Sequence, residues 1–155
     1  MTTNNQIYRK CVAIALFNDE RKVFAAERSD TKNAWQMPQG GIDEGETIEQ
    51  AALRELKEEI GTSNIEILEI TSTPIRYDWP EELKIKYHDN KYTGQEQYWV
   101  AAKFKGSNDE IKLDAHEDIE FNNWEWTDFK TMPDKIVPFK RDVYKQVVKL
   151  FSKYT

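Results

Sequence analysis

Between Ile48 and Ile60 the sequence sets Glu55, Glu58 and Glu59 at spacings of three and four, which in a helix gathers them on one side. Ile48, Ala52, Leu56 and Ile60 mark the apolar stripe of that helix. At about 100° per residue from Ile48, Glu59 falls near 20° and Glu55 near 340°, so both border the stripe while Glu58 stands further round. Like charges so placed repel, and partly buried ones either hold protons or need a cation among them. Arg54 is a single cation beside several carboxylates. Oxygen ligands without cysteine or histidine suit a hard ion, Mg²⁺ or Mn²⁺. The helical spacing lacks the alternating loop ligands of an EF-hand calcium site. The chemistry expected of this helix is therefore divalent-metal binding. Just ahead of it, Gly40 and Gly41 let the backbone turn tightly and approach a metal or a phosphate, and the Gly40 carbonyl is a further candidate ligand.

Charge is divided unevenly along the chain. Residues 43–59 carry seven acids against Arg54 and Lys57, and residues 130–155 carry seven bases against Asp134 and Asp142. On charge alone two readings stand: two solvated helix faces, or a cation site and an anion site in one molecule.

The elements that must position these groups can be read from periodicity and punctuation. Tyr8–Phe17 and 22–26 read as strands joined by a turn at Asn18-Asp19-Glu20, as expected of apolar, β-branched runs between turn residues. Residues 30–46 read as a loop. A helix follows from about Thr47, its N-cap, to Ile60, with Gly61 as its stop. Further strands are expected at 65–73, 83–87 and 96–105, and a short aromatic segment at 121–126. A last helix spans roughly 139–154 with Val143, Val147, Leu150, Phe151 and Tyr154 on one face. Together these predict an α+β class with a mixed sheet between helices.

The whole chain sets bounds on this picture. Its 155 residues suit one domain, 1–155, and the 39% hydrophobic content suits a folded core without disulfides. The longest apolar run, 11–17, is far too short to cross a bilayer, so no membrane partner is expected. Cys11 is the one cysteine, which excludes an internal disulfide or a multi-cysteine zinc site. Without a leader-like opening, a cytoplasmic setting is expected.

Gly40, Glu46, Arg54-Glu55-Leu56, Glu58-Glu59 and Gly61 meet the Nudix box, G-x5-E-x7-R-E-U-x-E-E-x-G-U with U bulky and apolar, and the chain thereby resembles the Nudix hydrolases. Thr62 at the final U is the one departure, and it touches helix-end packing. More narrowly, the segments 35–41, Gly94-Gln95-Glu96-Gln97 with Trp99, Glu120-Phe121 with Trp124 and Trp126, and 139–144 are similar to the bacterial RNA pyrophosphohydrolase branch, which includes dinucleoside polyphosphate hydrolases.

The resemblance implies the Nudix fold, a mixed sheet sandwiched between helices, and metal-assisted attack of water on a phosphorus of a polyphosphate chain. It implies Glu55, Glu59, Glu58 and the Gly40 carbonyl as ligands of Mg²⁺ or Mn²⁺. Glu46 and Arg54 would orient and neutralise those ligands. Glu58 or Glu120 would be the general base, and either is also a candidate ligand. Arg28 and Lys140 match phosphate-contacting positions. Val137 and Phe139 match positions that pack on a nucleobase, Phe139 having a core role as its other reading. Tyr77, in the aromatic loop 77–80, either stacks on a base or anchors that loop. His88 and His116 carry no catalytic spacing.

The leading expectation is removal of pyrophosphate from a 5′-triphosphorylated RNA. The alternative is asymmetric hydrolysis of a dinucleoside polyphosphate such as diadenosine tetraphosphate or pentaphosphate. A nucleotide-binding module without turnover is a third reading, against which the intact set of three glutamates argues.

Overall fold

The computed structural model describes residues 7–86, 91–116 and 119–155. Two long strands, β1 (Tyr8–Phe17) and β7 (Gly94–Phe104), run side by side and parallel through ten paired positions. Around them lie β2 (Val23–Arg28), β3 (Trp35–Gln36), β4 (Gln39–Gly41), β5 (Ile65–Ile70), β6 (Ile75–Asp78) and β8 (Phe121–Thr127). Every pairing other than that of β1 with β7 is antiparallel, so the sheet is mixed.

Alternation along the central strands divides the core into layers, because successive side chains of a strand point to opposite faces. Ala13, Ala15, Phe17, Trp99 and Ala101 face one side and pack with Val143, Tyr144, Val147 and Phe151 of helix α4 (Arg141–Phe151). Val12, Ile14, Leu16, Val100 and Ala102 face the other, against Ala51, Ala52, Leu56 and Ile60 of helix α1 (Ile48–Ile60). The expected sheet between helices is what forms. Two short helices, α2 (Glu81–Lys86) and α3 (Met132–Lys135), complete the chain.

Both central strands change partners along their length. β1 pairs with β2 at Phe17 but with β4 from Cys11 to Ala13. β7 pairs with β5 over its C-terminal half and with β6 from Gly94 to Gln97. β4 and β6 therefore flank the same end of the central pair, and the functional residues collect there.

Several expectations need correction. Residues 83–87 alternate like a strand, yet 81–86 form α2, started at Pro80, whose carbonyl accepts from the Leu83 and Lys84 amides at 2.9 and 3.3 Å; Tyr87 and His88 lie outside the described residues. The aromatic loop 77–80 begins inside β6, where Tyr77 pairs with Gln95 and Asp78 with Gly94. The supposed loop 30–46 holds β3 and β4, strands of two and three residues that exist only because β2 and β1 offer them partners. The strand from Ile65 ends at Ile70, short of residue 73. Leu150, placed on the buried face of the last helix, is exposed.

Candidate active site

Helix α1 is set in place by local chemistry at both ends. Thr47 Oγ1 accepts from the Gln50 amide at 3.1 Å while Gln50 Oε1 accepts from the Thr47 amide at 2.9 Å, a closed capping box that satisfies amides left over at a helix start. At the other end Gly61 takes φ 82° and donates to the Lys57 carbonyl; a Cβ there would press on Lys112. Beyond it, Thr62 is buried and its hydroxyl donates to Glu110 at 3.1 Å, so this departure from the box stays at the helix end.

Burial of the Ala52, Leu56 and Ile60 stripe carries the acidic edge of α1 to the sheet. Glu59 is 6% exposed, and both of its carboxylate oxygens are buried with no hydrogen-bond donor among the described residues. Burial first, then the nearby Glu120 and Glu55 carboxylates, push its pKa well above the usual range. Burial likewise raises Glu55, against the pull of Arg54. Glu58 is the more exposed of the three.

Arg54 ties this helix to the preceding loop. Its guanidinium grips Glu46 through Nε at 2.7 Å and Nη2 at 2.8 Å, donates to Glu55 Oε1 at 2.8 Å and reaches the Gly41 carbonyl at 2.8 Å. That grip, with the Asp43 amide, holds the Glu46 pKa down at about 2. Under this cluster runs β4, where a Cβ on Gly40 would collide with the Glu55 carboxylate and one on Gly41 with the Arg9 guanidinium. Glycine leaves room there for those side-chain ends, which an added Cβ would oblige to shift.

A cleft of about 500 Å³ opens over these groups. It is lined by the carboxylates of Glu55, Glu58, Glu59 and Glu120 beside Gly40, and by the cations Arg9, Arg28 and Lys140. Arg28 makes a paired contact to Asp30, both bonds 2.7 Å. Lys140 is nearly fully buried, with Nζ 5.7 Å from the Tyr77 ring centre and 5.9 Å from that of Phe139. Burial, then the charge of Arg28, lowers its pKa to about 8.

Of the residues singled out from sequence, Gly40, Glu55, Glu58, Glu59, Glu120, Arg28, Lys140 and Phe139 share this cleft, while Arg54 and Glu46 stand behind the carboxylate wall. Tyr77 and Val137 do not line it: Tyr77 is buried with Phe139 against its ring at 6.2 Å, and Val137 packs on the α4 side of the core. The cleft also takes in residues given no role from sequence: Arg9, Gln36, Gln39, Trp79, Gln95 and His116. Gln36, Gln39 and Gln95 lay within segments that already carried the family likeness, and Trp79 within the aromatic stretch. Arg9 and His116 had no local signal, since they arrive through strand pairing and a long connection. Glu117 and Asp118, the acidic neighbours of Glu120, lie outside the described residues.

The donor set fits a hard dication. Orphaned buried oxygens on Glu59, further carboxylates on Glu55, Glu58 and Glu120, and a glycine cleared for close approach are what such an ion requires. Among the described residues no three acidic or histidine side chains already converge as a ligand cluster, and Glu55 is turned toward Arg54. Binding would draw it away. Chemically, the cleft brings cation-binding carboxylates and anion-binding cations into one space, a lining suited to a polyanion together with a dication.

The family model of the NUDIX domain matches residues 7–147. An RNA pyrophosphohydrolase of Erythrobacter litoralis is 50% identical over 148 residues, covering 93% of this chain and 90% of the relative. One from Wolbachia pipientis subsp. Culex pipiens is 41% identical, covering 98% of this chain and 94% of the relative. Among solved structures, the E. coli dihydroneopterin triphosphate pyrophosphohydrolase superposes with TM-score 0.71 at 20% identity, covering 92% and 98% of the two chains. A C. elegans Ap4A hydrolase superposes at 0.62 with 17% identity over 92% and 98%. These two structures share the fold.

Proposed function

The chain belongs to the Nudix family, and from that premise we propose that it removes pyrophosphate from the 5′-triphosphate end of RNA, leaving a 5′-monophosphate. The observation that carries the RNA assignment is identity of up to 50% with RNA pyrophosphohydrolases across nearly the full length of both chains. The carboxylates and cations that share the cleft support the reaction class. A cytoplasmic setting follows from the substrate.

Nudix hydrolases generally need a divalent metal. Here Glu55, Glu58, Glu59 and the Gly40 carbonyl would hold Mg²⁺ or Mn²⁺, with Glu120 beside them, and the ion would polarise phosphate oxygens and acidify a bound water. Arg54 and Glu46 keep Glu55 and the Gly41 backbone in register, an outer layer that fixes ligand direction. Lys140, Arg28 and Arg9 take the non-bridging oxygens of the phosphate chain. Glu58 or Glu120 accepts the proton of the attacking water. As the new P–O bond forms, the anhydride P–O bond breaks and its electron pair leaves with pyrophosphate. Phe139, at the cleft wall, offers an apolar face to the first bases.

The test is a product assay that offers 5′-triphosphorylated RNA and diadenosine tetraphosphate side by side, with Glu55→Gln and Glu59→Gln as controls. Higher kcat/KM on the RNA, lost in both variants, is expected. Preference for the dinucleotide would keep the mechanism and replace the substrate; unchanged activity in the variants would sink the metal assignment.

A further inference from the structure

The segment Gly94–Gln97 with Trp99 has no part in the chemistry above. On β7 the residues Gln95, Gln97 and Trp99 alternate onto one face, the face that packs toward α4, as a period of two requires. Trp99 and Gln97 are each only 1% exposed, so solvent cannot arbitrate how their polar atoms pair.

The pairing has a direction. Trp99 Nε1–H donates to Gln97 Oε1 at 3.1 Å. An indole N–H can only donate, so the carbonyl end of the Gln97 amide must face Trp99 and its NH₂ must face away. That NH₂ donates to Gln39 Oε1 at 2.6 Å and to Gln95 Oε1 at 3.3 Å. The Tyr77 hydroxyl donates to the same Gln95 oxygen at 2.5 Å. Both outer glutamines thus have their oxygens committed inward. Gln39 and Gln95 line the cleft, and among the described residues their own NH₂ groups meet no protein acceptor.

We infer that Trp99 and Gln97 are positioning residues that set the polarity of the cleft floor, so that Gln39 and Gln95 present N–H donors to the phosphate oxygens of the substrate. This rests on the reading of the cleft as a polyphosphate site. The same side chains turned over would present carbonyl oxygens to an anion. A donor-only group nearly sealed from solvent prevents this, and it acts through one intermediate amide on two recognition groups. The buried Tyr77, whose hydroxyl shares the Gln95 oxygen, belongs to this wiring.

Gln97→Glu tests it with almost no change of shape. A carboxylate has no hydrogen to give, so Gln39 and Gln95 must turn their NH₂ groups inward and show oxygens to the cleft. In the native chain, side-chain NH₂ resonances of Gln39 and Gln95 should shift on adding inorganic triphosphate, while those of Gln97 stay protected from exchange. In the Gln97→Glu chain the Gln39 and Gln95 signals should become protected and unresponsive. Affinity for inorganic triphosphate should fall about tenfold or more, the scale of turning a donor into an opposed acceptor, with KM for the RNA rising to match and kcat holding within about twofold. The defect should ease as pH falls and the introduced carboxyl regains a proton to donate. Trp99→Phe, which keeps the ring against Tyr144, should weaken triphosphate binding by a smaller factor, and it carries the test if the first variant does not fold. Unchanged triphosphate affinity in either folded variant at mildly alkaline pH, or native Gln39 and Gln95 signals that ignore triphosphate, would overturn the inference. Weaker triphosphate binding by the variants, alongside a native chain inert toward RNA, would uphold the floor polarity and displace the RNA reading.

Discussion

Among the described residues, Glu59 is the one whose buried side-chain oxygens find no hydrogen-bond partner. Burial and two neighbouring carboxylates raise its pKa, so the folded chain holds this proton more tightly than the unfolded one. Stability then falls as pH rises from the ordinary carboxylate range through the raised value. Glu59→Gln removes that penalty. The metal-free variant should be more stable than the native chain at neutral pH, by about 1–3 kcal/mol on the scale of a buried unpaired polar group, and the gap should close in acid; denaturant melts at several pH values would show it. Lys140 carries the opposite sign of charge and the same conflict. Its pKa of about 8 lies below the ordinary lysine value, so burial of the cation costs the fold about 3 kcal/mol below pH 8, a cost relieved as pH climbs toward the unfolded value. Lys140→Met should therefore raise stability at neutral pH while raising KM for a triphosphate end. In the native enzyme KM should climb as pH passes about 8, because the free cation is lost there. A KM flat across that range would remove Lys140 from phosphate binding.

At the scale of elements, α1 was legible almost to the residue, because its capping box, apolar stripe and terminal glycine all act within a few positions of one another. Its carboxylates were legible for the same reason. The short strands were not. β4 is three residues long and is held by its register with Cys11–Ala13, a relation no local window contains. The alternation of Leu83, Ile85 and Tyr87 fits a strand as well as it fits noise, and the Pro80 carbonyl decided for a helical turn. Arg9, Gln39 and Gln95 meet only once β1, β4 and β7 are paired, so no spacing rule could assemble them. The dependence of the site on β4 gives a test at this scale. Gly40→Ala places a methyl group where the Glu55 carboxylate sits. Glu55 or β4 must then shift, and a displacement of about 1 Å at a reacting centre can cost about a hundredfold in rate. Gly45→Ala is the matching control for backbone strain, since it too alters a glycine but has φ 85° and open space around it. It should lose stability yet keep most of its kcat, whereas Gly40→Ala should lose kcat out of proportion to any fall in Tm.

For the whole molecule these conflicts form one pattern: buried carboxylates and a buried cation line one cleft, and their burial costs the fold stability. The core on both faces of β1 and β7 carries the fold, and the cleft draws on that stability. Ligands should return it. A metal that binds only the folded chain stabilises it by RT ln(1 + [M]/Kd), about 2.7 kcal/mol at a hundredfold excess over Kd. For a chain of this size that corresponds to a rise in Tm of about 5–10 °C. Binding competes with the proton that burial favours on Glu59, so the rise should grow with pH. The order of stability between native chain and Glu59→Gln should then reverse: the variant melts higher without metal, the native chain melts higher with it. A thermal-shift titration of both chains with Mg²⁺ and Mn²⁺ would show the crossing. Parallel curves that never cross would mean that Glu59 contributes nothing to the ion, and its burial would then be a cost without a return.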